Sequence, residues 1–303
     1  MTSPTINLRK AVTLEIGALK QPVVTLYELS VIINKLYKAG SYKGSELTNI
    51  KKNRANRSDC VRVIGGLLDI GIIEEGVALR HPEVFSILGR EQSPSLEIIC
   101  VVDPFAYVSH LSAMEWHGLT DRISHTLFYS SPTPKNWQHH ALSKMEKDLG
   151  TRGVKSYLAN GLPRLKRLNF DKVNRAPTHR YLSNHLGAFI SIRKSVLRVS
   201  TIGRTFHDML REPELCGGIY HVLDIFEEFS SKYLILIVDE IDRHGTQIDK
   251  VRAGYILEER LNLSEPRIDK WREYIQRGGS RKLHAKSPYS AEYSKNWSIS
   301  LNI

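Results

Sequence analysis

The chain has 303 residues, with 41% hydrophobic and 25% charged side chains and a formal net charge of +11; it is too long for a lone binding module and suits two domains with cores of their own. Three scattered cysteines, Cys60, Cys100 and Cys216, exclude a disulfide scaffold and any CxxC metal or redox motif. Residues 1–10 lack the apolar stretch of a signal peptide, and the apolar run 233–238 is too short to cross a bilayer, so a cytoplasmic protein with no membrane partner is expected.

Leu26, Leu29, Ile33 and Leu36 recur at helical spacing and predict an amphipathic helix over 23–39, stopped by Gly40. Ser45 offers an N-cap for a second, short helix reaching Lys51. The segment Lys51-Lys52-Asn53-Arg54-Ala55-Asn56-Arg57 follows, basic and free of acids. A third helix is predicted from Ser58, as N-cap, to Ile70. Cys60, Val61, Ile64, Leu67 and Leu68 make its apolar stripe, and Asp59, Arg62 and Gly66 its open face. Beyond Gly71, residues 72–74 and 77–79 predict two short strands around Glu75-Gly76.

Three helices and a hairpin within about 60 residues form the layout of a winged helix-turn-helix, whose third helix enters the major groove. On that reading Lys51, Lys52 and Arg54 contact phosphates, while Asn56, Arg57 and Arg62 face base edges. Arg80, just past the wing, is placed to reach the minor groove or to stay solvated, and the small Gly66 lets the duplex approach. Winged helices also serve as protein-binding modules.

The polar stretch 91–95 predicts a linker, dividing the chain into an N-terminal domain, 1–92, and a larger mixed α/β domain, 96–303, in an α+β fold class. Within the second domain the patterns predict a strand over 96–102 and a helix from Asp103 and Pro104 to Gly118. A strand over 127–129 and a helix over 137–149 come next. Residues 164–170 read as a basic strand, 186–199 as further strand, and 205–210 as a short helix. Helix 219–229, strand 233–238 and helix 248–261 complete the pattern, ahead of a polar tail from Gly278.

Charge is uneven along this domain. Residues 152–211 hold 13 Lys/Arg against 2 Asp/Glu, and residues 212–265 hold 5 against 12. Either the two blocks pair within the fold, or the first offers a polyanion a surface built from Arg164, Lys166, Arg167, Arg193, Lys194 and Arg198.

Catalytic patterns are absent from the sequence. His139 and His140 are adjacent and point to different sides of a helix, and His110 and His117 come without a ligand pattern. Asp239, Glu240 and Asp242 follow an apolar run as nuclease carboxylates do, but no lysine follows at the spacing such sites use. Gly278-Gly279-Ser280-Arg281-Lys282 reads as an exposed turn or an anion-holding one. No enzyme activity, metal or cofactor is expected.

Two central segments carry a resemblance. Tyr107-Val108-Ser109-His110-Leu111-Ser112-Ala113, closing with His117-Gly118-Leu119-Thr120, is similar to a helix of the AbiEi antitoxin family. Arg204-Thr205-Phe206-His207-Asp208, then Pro213-Glu214-Leu215 and Gly217-Gly218, resembles that family's second signature. Ser112, His117, Arg204 and Asp208 are its polar positions here. The resemblance implies the antitoxin of a type IV toxin–antitoxin pair, linked to abortive phage infection. Its N-terminal winged helix would bind inverted repeats in operator DNA and repress the operon. Its C-terminal domain would counter a nucleotidyltransferase-like toxin. Arg204 with Asp208 four residues on also has the plain reading of a helical ion pair. The other functional reading is a non-catalytic regulator whose basic region binds an acidic partner or RNA.

Overall fold

The computed structural model describes residues 4–48, 50–90, 94–184, 188–276 and 281–303. The first three residues of the expected linker and the Gly278-Gly279-Ser280 turn lie outside them. Helix makes up 49% of the structure and strand 17%, which is the α+β class. In chain order the helices are α1 (Leu8–Ala18), α2 (Leu26–Ala39), α3 (Arg57–Asp69), α4 (Ser95–Val102), α5 (His110–Trp116) and α6 (Pro134–Leu149). They continue with α7 (Thr151–Ala159), α8 (Ile202–Arg211), α9 (Ile219–His244), α10 (Gln247–Gly254) and α11 (Pro266–Lys270). Two compact units result. The first comprises Met1–Ala106, Ser131–Thr178 and Ser191–Leu197, and the second Tyr107–Ser130, His179–Ile190 and Arg198–Ile303. The chain therefore changes unit after residues 106, 130, 178, 190 and 197, not in the polar stretch 91–95.

In the first unit, α1 buries Leu8, Ala11, Val12 and Ile16, one face of a helix, and Asn7 caps it by accepting from the Arg9 N–H at 2.8 Å. α2 opens on a Thr25/Glu28 capping box and stops at Gly40, whose φ of 65° suits glycine. The short helix expected from Ser45 is a strand, Ser45–Thr48. It pairs in parallel with Thr5–Asn7 and antiparallel with Ser41–Tyr42, and this pairing outweighs the weak capping signal of Ser45. α3 is capped by Asn56 rather than Ser58. Asn56 Oδ1 accepts the Asp59 N–H at 3.0 Å, and the Asp59 carboxylate accepts the Asn56 N–H at 2.9 Å.

The expected hairpin is wider than the sequence pattern. Ile73–Glu75 pairs with Val84–Ile87, which Val23–Thr25 flanks on its other side, while 76–83 forms the loop between them. Ala78 and Leu79 are buried in that loop, so their apolar character marks burial and not a strand. Residues 96–102 are α4 rather than a strand, since a short apolar run suits either. Residues 164–170 carry no regular structure. Trp137, Ala141 and Met145 of α6 join Val154 and Tyr157 of α7 in the same core as Leu29, Ile33 and Leu67. Asp103 holds α6 in place, accepting from Trp137 Nε1 at 2.9 Å and Ser131 Oγ at 2.6 Å.

In the second unit the helix expected over 103–118 is broken. Tyr107–Val108 is a strand, parallel to Arg198–Ser200 at Val199 and antiparallel to Leu127–Pro132 at Tyr129 and Ser130, and α5 starts only at His110. Of the strand expected over 186–199, residues 186 and 187 lie outside the described residues, and a turn within the first unit's segment Ser191–Leu197 separates Phe189–Ser191 from Arg198–Ser200. The apolar run 233–238 belongs to the 26-residue α9. Ile237, Val238 and Ile241 are buried there while Ile235 and Leu236 are exposed, which is a helical rather than an alternating pattern. α8 packs on α9 at Gly203, where a Cβ would stand 2.2 Å from the Leu236 carbonyl oxygen.

A buried pair joins α8 to α10. His207 Nε2 lies 3.1 Å from Asp249 Oδ2, which also accepts the Thr246 N–H at 2.9 Å and its hydroxyl at 2.8 Å. Burial alone would raise the Asp249 pKa, but these hydrogen bonds and the His207 ring bring it down to about 2. A carboxyl depressed in the folded state contributes stability above its unfolded pKa and loses it as pH falls through its folded pKa. The contribution is about 2 kcal/mol, complete above about pH 4 and lost towards pH 2. Urea unfolding over this range should show Asp249→Asn with a visibly shallower acid limb than the unchanged chain. Superimposable limbs would refute the assignment.

Candidate nucleic-acid interface

The basic approach to α3 is solvated: Lys51, Lys52, Arg54 and Arg57 are all exposed. Lys52 Nζ lies 2.6 Å from Asp59 Oδ2. Arg62, also exposed, donates to the Tyr37 hydroxyl at 3.2 Å and to Asp59 at 3.0 Å. Burial would raise the Asp59 pKa, but Lys52 and the Asn56 N–H outweigh it and hold the carboxyl below its usual range. Half-buried Asn56 spends its side-chain oxygen on the helix cap.

The open face of α3 is displaced by one residue from the expected one. Asp59 and Gly66 are buried, and a Cβ on Gly66 would stand 2.6 Å from the Arg9 guanidinium carbon, so α1 covers that side. Val61, expected in the core stripe, is 64% exposed. Ser58, Val61, Arg62 and Asp69 now share the solvated side, with Gly65, beside which a Cβ would meet nothing within 4 Å. The signal was present in the buried Cys60, Val63, Ile64 and Leu67, a stripe that leaves 58, 61 and 65 opposite it.

Arg80 is exposed in the middle of loop 76–83. Beside that loop sits a second turn, where the Asn174 N–H donates to the Ala78 carbonyl at 2.9 Å. A cleft of about 870 Å³ between them is lined by Arg80, Lys172 and Arg175 among others. The last two cations, both exposed, had no local pattern to mark them.

The basic block 152–211 divides between the units. Arg164 and Lys166 are exposed and Arg167 half-buried, all in the first unit, where Lys166 Nζ meets Glu83 at 2.6 Å. Arg193 and Lys194 are exposed in the first unit as well, whereas half-buried Arg198 belongs to the second. Counted by unit, the first has 25 Lys/Arg against 14 Asp/Glu and the second 18 against 18. The whole positive excess lies with α3.

The signature positions lie in the second unit. Ser112 Oγ accepts the Phe128 N–H at 2.9 Å, and His117 Nε2 is 2.7 Å from the Ser200 carbonyl oxygen. Arg204 Nε donates to Asp208 Oδ1 at 2.7 Å, and both residues are 1% exposed. Burial works against the Arg204 charge, but Asp208 and Tyr107 outweigh it and raise its pKa. Residues flanking the signatures tie their ends together: Thr120 Oγ1 lies 3.0 Å from His221 Nε2, and Arg122 donates to the Gly217 carbonyl at 3.0 Å.

Asp239, Glu240 and Asp242 stand on α9, not after a strand. Asp239 pairs with Arg267 and Arg243, and Asp242 accepts from Trp271 Nε1 at 2.9 Å. Among the described residues no group of three or more His, Cys, Asp or Glu side chains is placed to hold a metal ion, and no helix is long and apolar enough to cross a membrane.

No family model matches the chain, and no curated protein matches it. Among solved structures, the crystal structure of the RV2827C protein from Mycobacterium tuberculosis is similar over 98% of this chain and 92% of that one, with a TM-score of 0.49 and 11% sequence identity.

Proposed function

We propose that the chain is a DNA-binding regulator of the AbiEi antitoxin type. It binds inverted repeats in its operator, represses its own operon and counters a nucleotidyltransferase-like toxin. The observation that carries the DNA half is the charge division, since the unit holding α3 has the entire excess of positive charge and its exposed cations precede that helix. Helices α1 to α3, followed by the hairpin of Ile73–Glu75 and Val84–Ile87, suit a winged helix with α3 as its reading helix. The toxin half rests on the resemblance of the two signatures. Neither half requires a catalytic residue, metal or cofactor.

Gel shifts with operator and scrambled DNA over a salt series test the reading. Replacing Lys51, Lys52 and Arg54 with alanine should weaken binding to both DNAs and flatten the salt dependence by about 0.9 per lost phosphate contact. Arg57→Ala or Arg62→Ala should erode discrimination by about 1–3 kcal/mol at one base pair. Equal affinity for both DNAs at every salt concentration would remove the repressor role. Toxin neutralisation by the full-length Lys51/Lys52/Arg54 variant separates the two halves.

A further inference from the structure

In the first unit, α6, α7 and the segment 164–167 enclose a cleft of about 660 Å³. That volume falls in the range of about 300–1,000 Å³ found for small-molecule sites. One stripe of α6 supplies its floor. Trp137, Ala141, Leu142 and Met145 follow helical spacing and all line it, and α7 adds Val154 and Leu158. The Trp137 N–H is already spent on Asp103, so the indole enters the cleft as an apolar group. Leu142 remains 52% exposed, an open apolar contact at a site where the neighbouring residues of the stripe are buried.

The remaining wall is cationic. Arg164, Lys166 and Arg167 line it with Leu165 between them. Lys166 is held by Glu83, but Arg167 Nη1 is buried with no hydrogen-bond partner. A desolvated guanidinium donor calls for an anionic acceptor, and a carboxylate or phosphate matches its geometry. An apolar floor with such a cation beside it selects against both a bare anion, which would leave the floor wet, and a plain hydrocarbon, which would leave the donor unpaired.

We propose that this cleft binds a small amphiphilic anion, with its apolar body among Trp137, Leu142 and Leu158 and its carboxylate or phosphate head on Arg167. The site is separate from α3 and does not depend on the DNA-binding reading. Calorimetric titration of the full chain with decanoate, decyl phosphate, 1-decanol and acetate tests it. One of the two amphiphilic anions should bind at a single site at least tenfold more tightly than 1-decanol, with no binding of acetate; the tighter of the two identifies the head. Arg167→Gln should reduce that anion to the level of 1-decanol and leave 1-decanol itself unchanged. Leu142→Glu, at an exposed helical position where the fold is preserved, should weaken every chain-bearing ligand at least tenfold. Equal binding of 1-decanol and both anions, equal binding of acetate, or affinities untouched by both substitutions would overturn the proposal.

Discussion

Arg204→Ala is expected to cost about 3–5 kcal/mol of stability, because it strands a carboxylate in the interior. Arg204 and Asp208 are each 1% exposed and joined at 2.7 Å. Their surroundings offer little compensation: the two terminal guanidinium nitrogens, Asp208 Oδ2, the Tyr107 hydroxyl and His110 Nε2 are buried without hydrogen-bond partners. Asp208→Ala should be as damaging, since it leaves the guanidinium without its counter-charge. The double substitution Arg204→Met with Asp208→Leu should recover at least half of either loss, because replacing a whole buried pair by apolar groups of similar volume is often neutral or better. Urea unfolding followed by tryptophan fluorescence measures all three; the second unit contains buried Trp271 and Trp297. A single variant that loses less than about 1 kcal/mol would show that the pair is not the buried charge couple described.

Gly203→Ala, one residue earlier, should cost about 2–3 kcal/mol by overpacking. The new methyl would meet the Leu236 carbonyl oxygen at 2.2 Å and the Glu240 Cβ at 3.0 Å. The first is backbone of α9, so no rotamer change relieves the clash and the two helices must part. Parting them withdraws the buried residues of α8, Phe206 and Met209 among them, from the core they share with Phe226, Ile237 and Ile241. Thermal and urea unfolding of the variant would register the loss. Unchanged stability would mean that the crossing has slack that 2.2 Å does not suggest.

What could be read in advance follows from how local each determinant is. α2, α3, α6 and α8 carry their own apolar periodicity, so their existence was legible with small errors at the ends. The Arg204–Asp208 pair was legible for the same reason, as an i,i+4 spacing on one helix. α1 escaped because it has no acid in its first turn and no base in its last to mark its ends. Ser45–Thr48 became a strand through Thr5–Asn7, some forty residues away, which no local window contains. The runs 96–102 and 233–238 are apolar enough for a buried strand, and only their packing distinguishes them as helix.

The candidate site shows the same division. The exposed cations from Lys51 to Arg57 stand out as a run, but the face of α3 does not: successive helical residues lie about 100° apart, so counting the exposed Val61 with the core swings the apparent open face by about one residue. The membership of Arg164 and Lys166 in the first unit depends on how α6 and α7 reach the N-terminal core, and that of Arg193 and Lys194 on a segment whose Ser195 hydroxyl donates to Glu97 of α4. It follows from tertiary packing rather than composition.

The contact between Gly66 and Arg9 makes one face of α3 depend on a single side-chain rotamer of α1. The guanidinium occupies the space that any side chain at 66 would need. Arg9 is itself exposed and the guanidinium is the far end of its flexible side chain, so a larger residue at 66 would swing the charge aside rather than push the helices apart. A substitution there would therefore move a positive charge across the surface before it cost much stability.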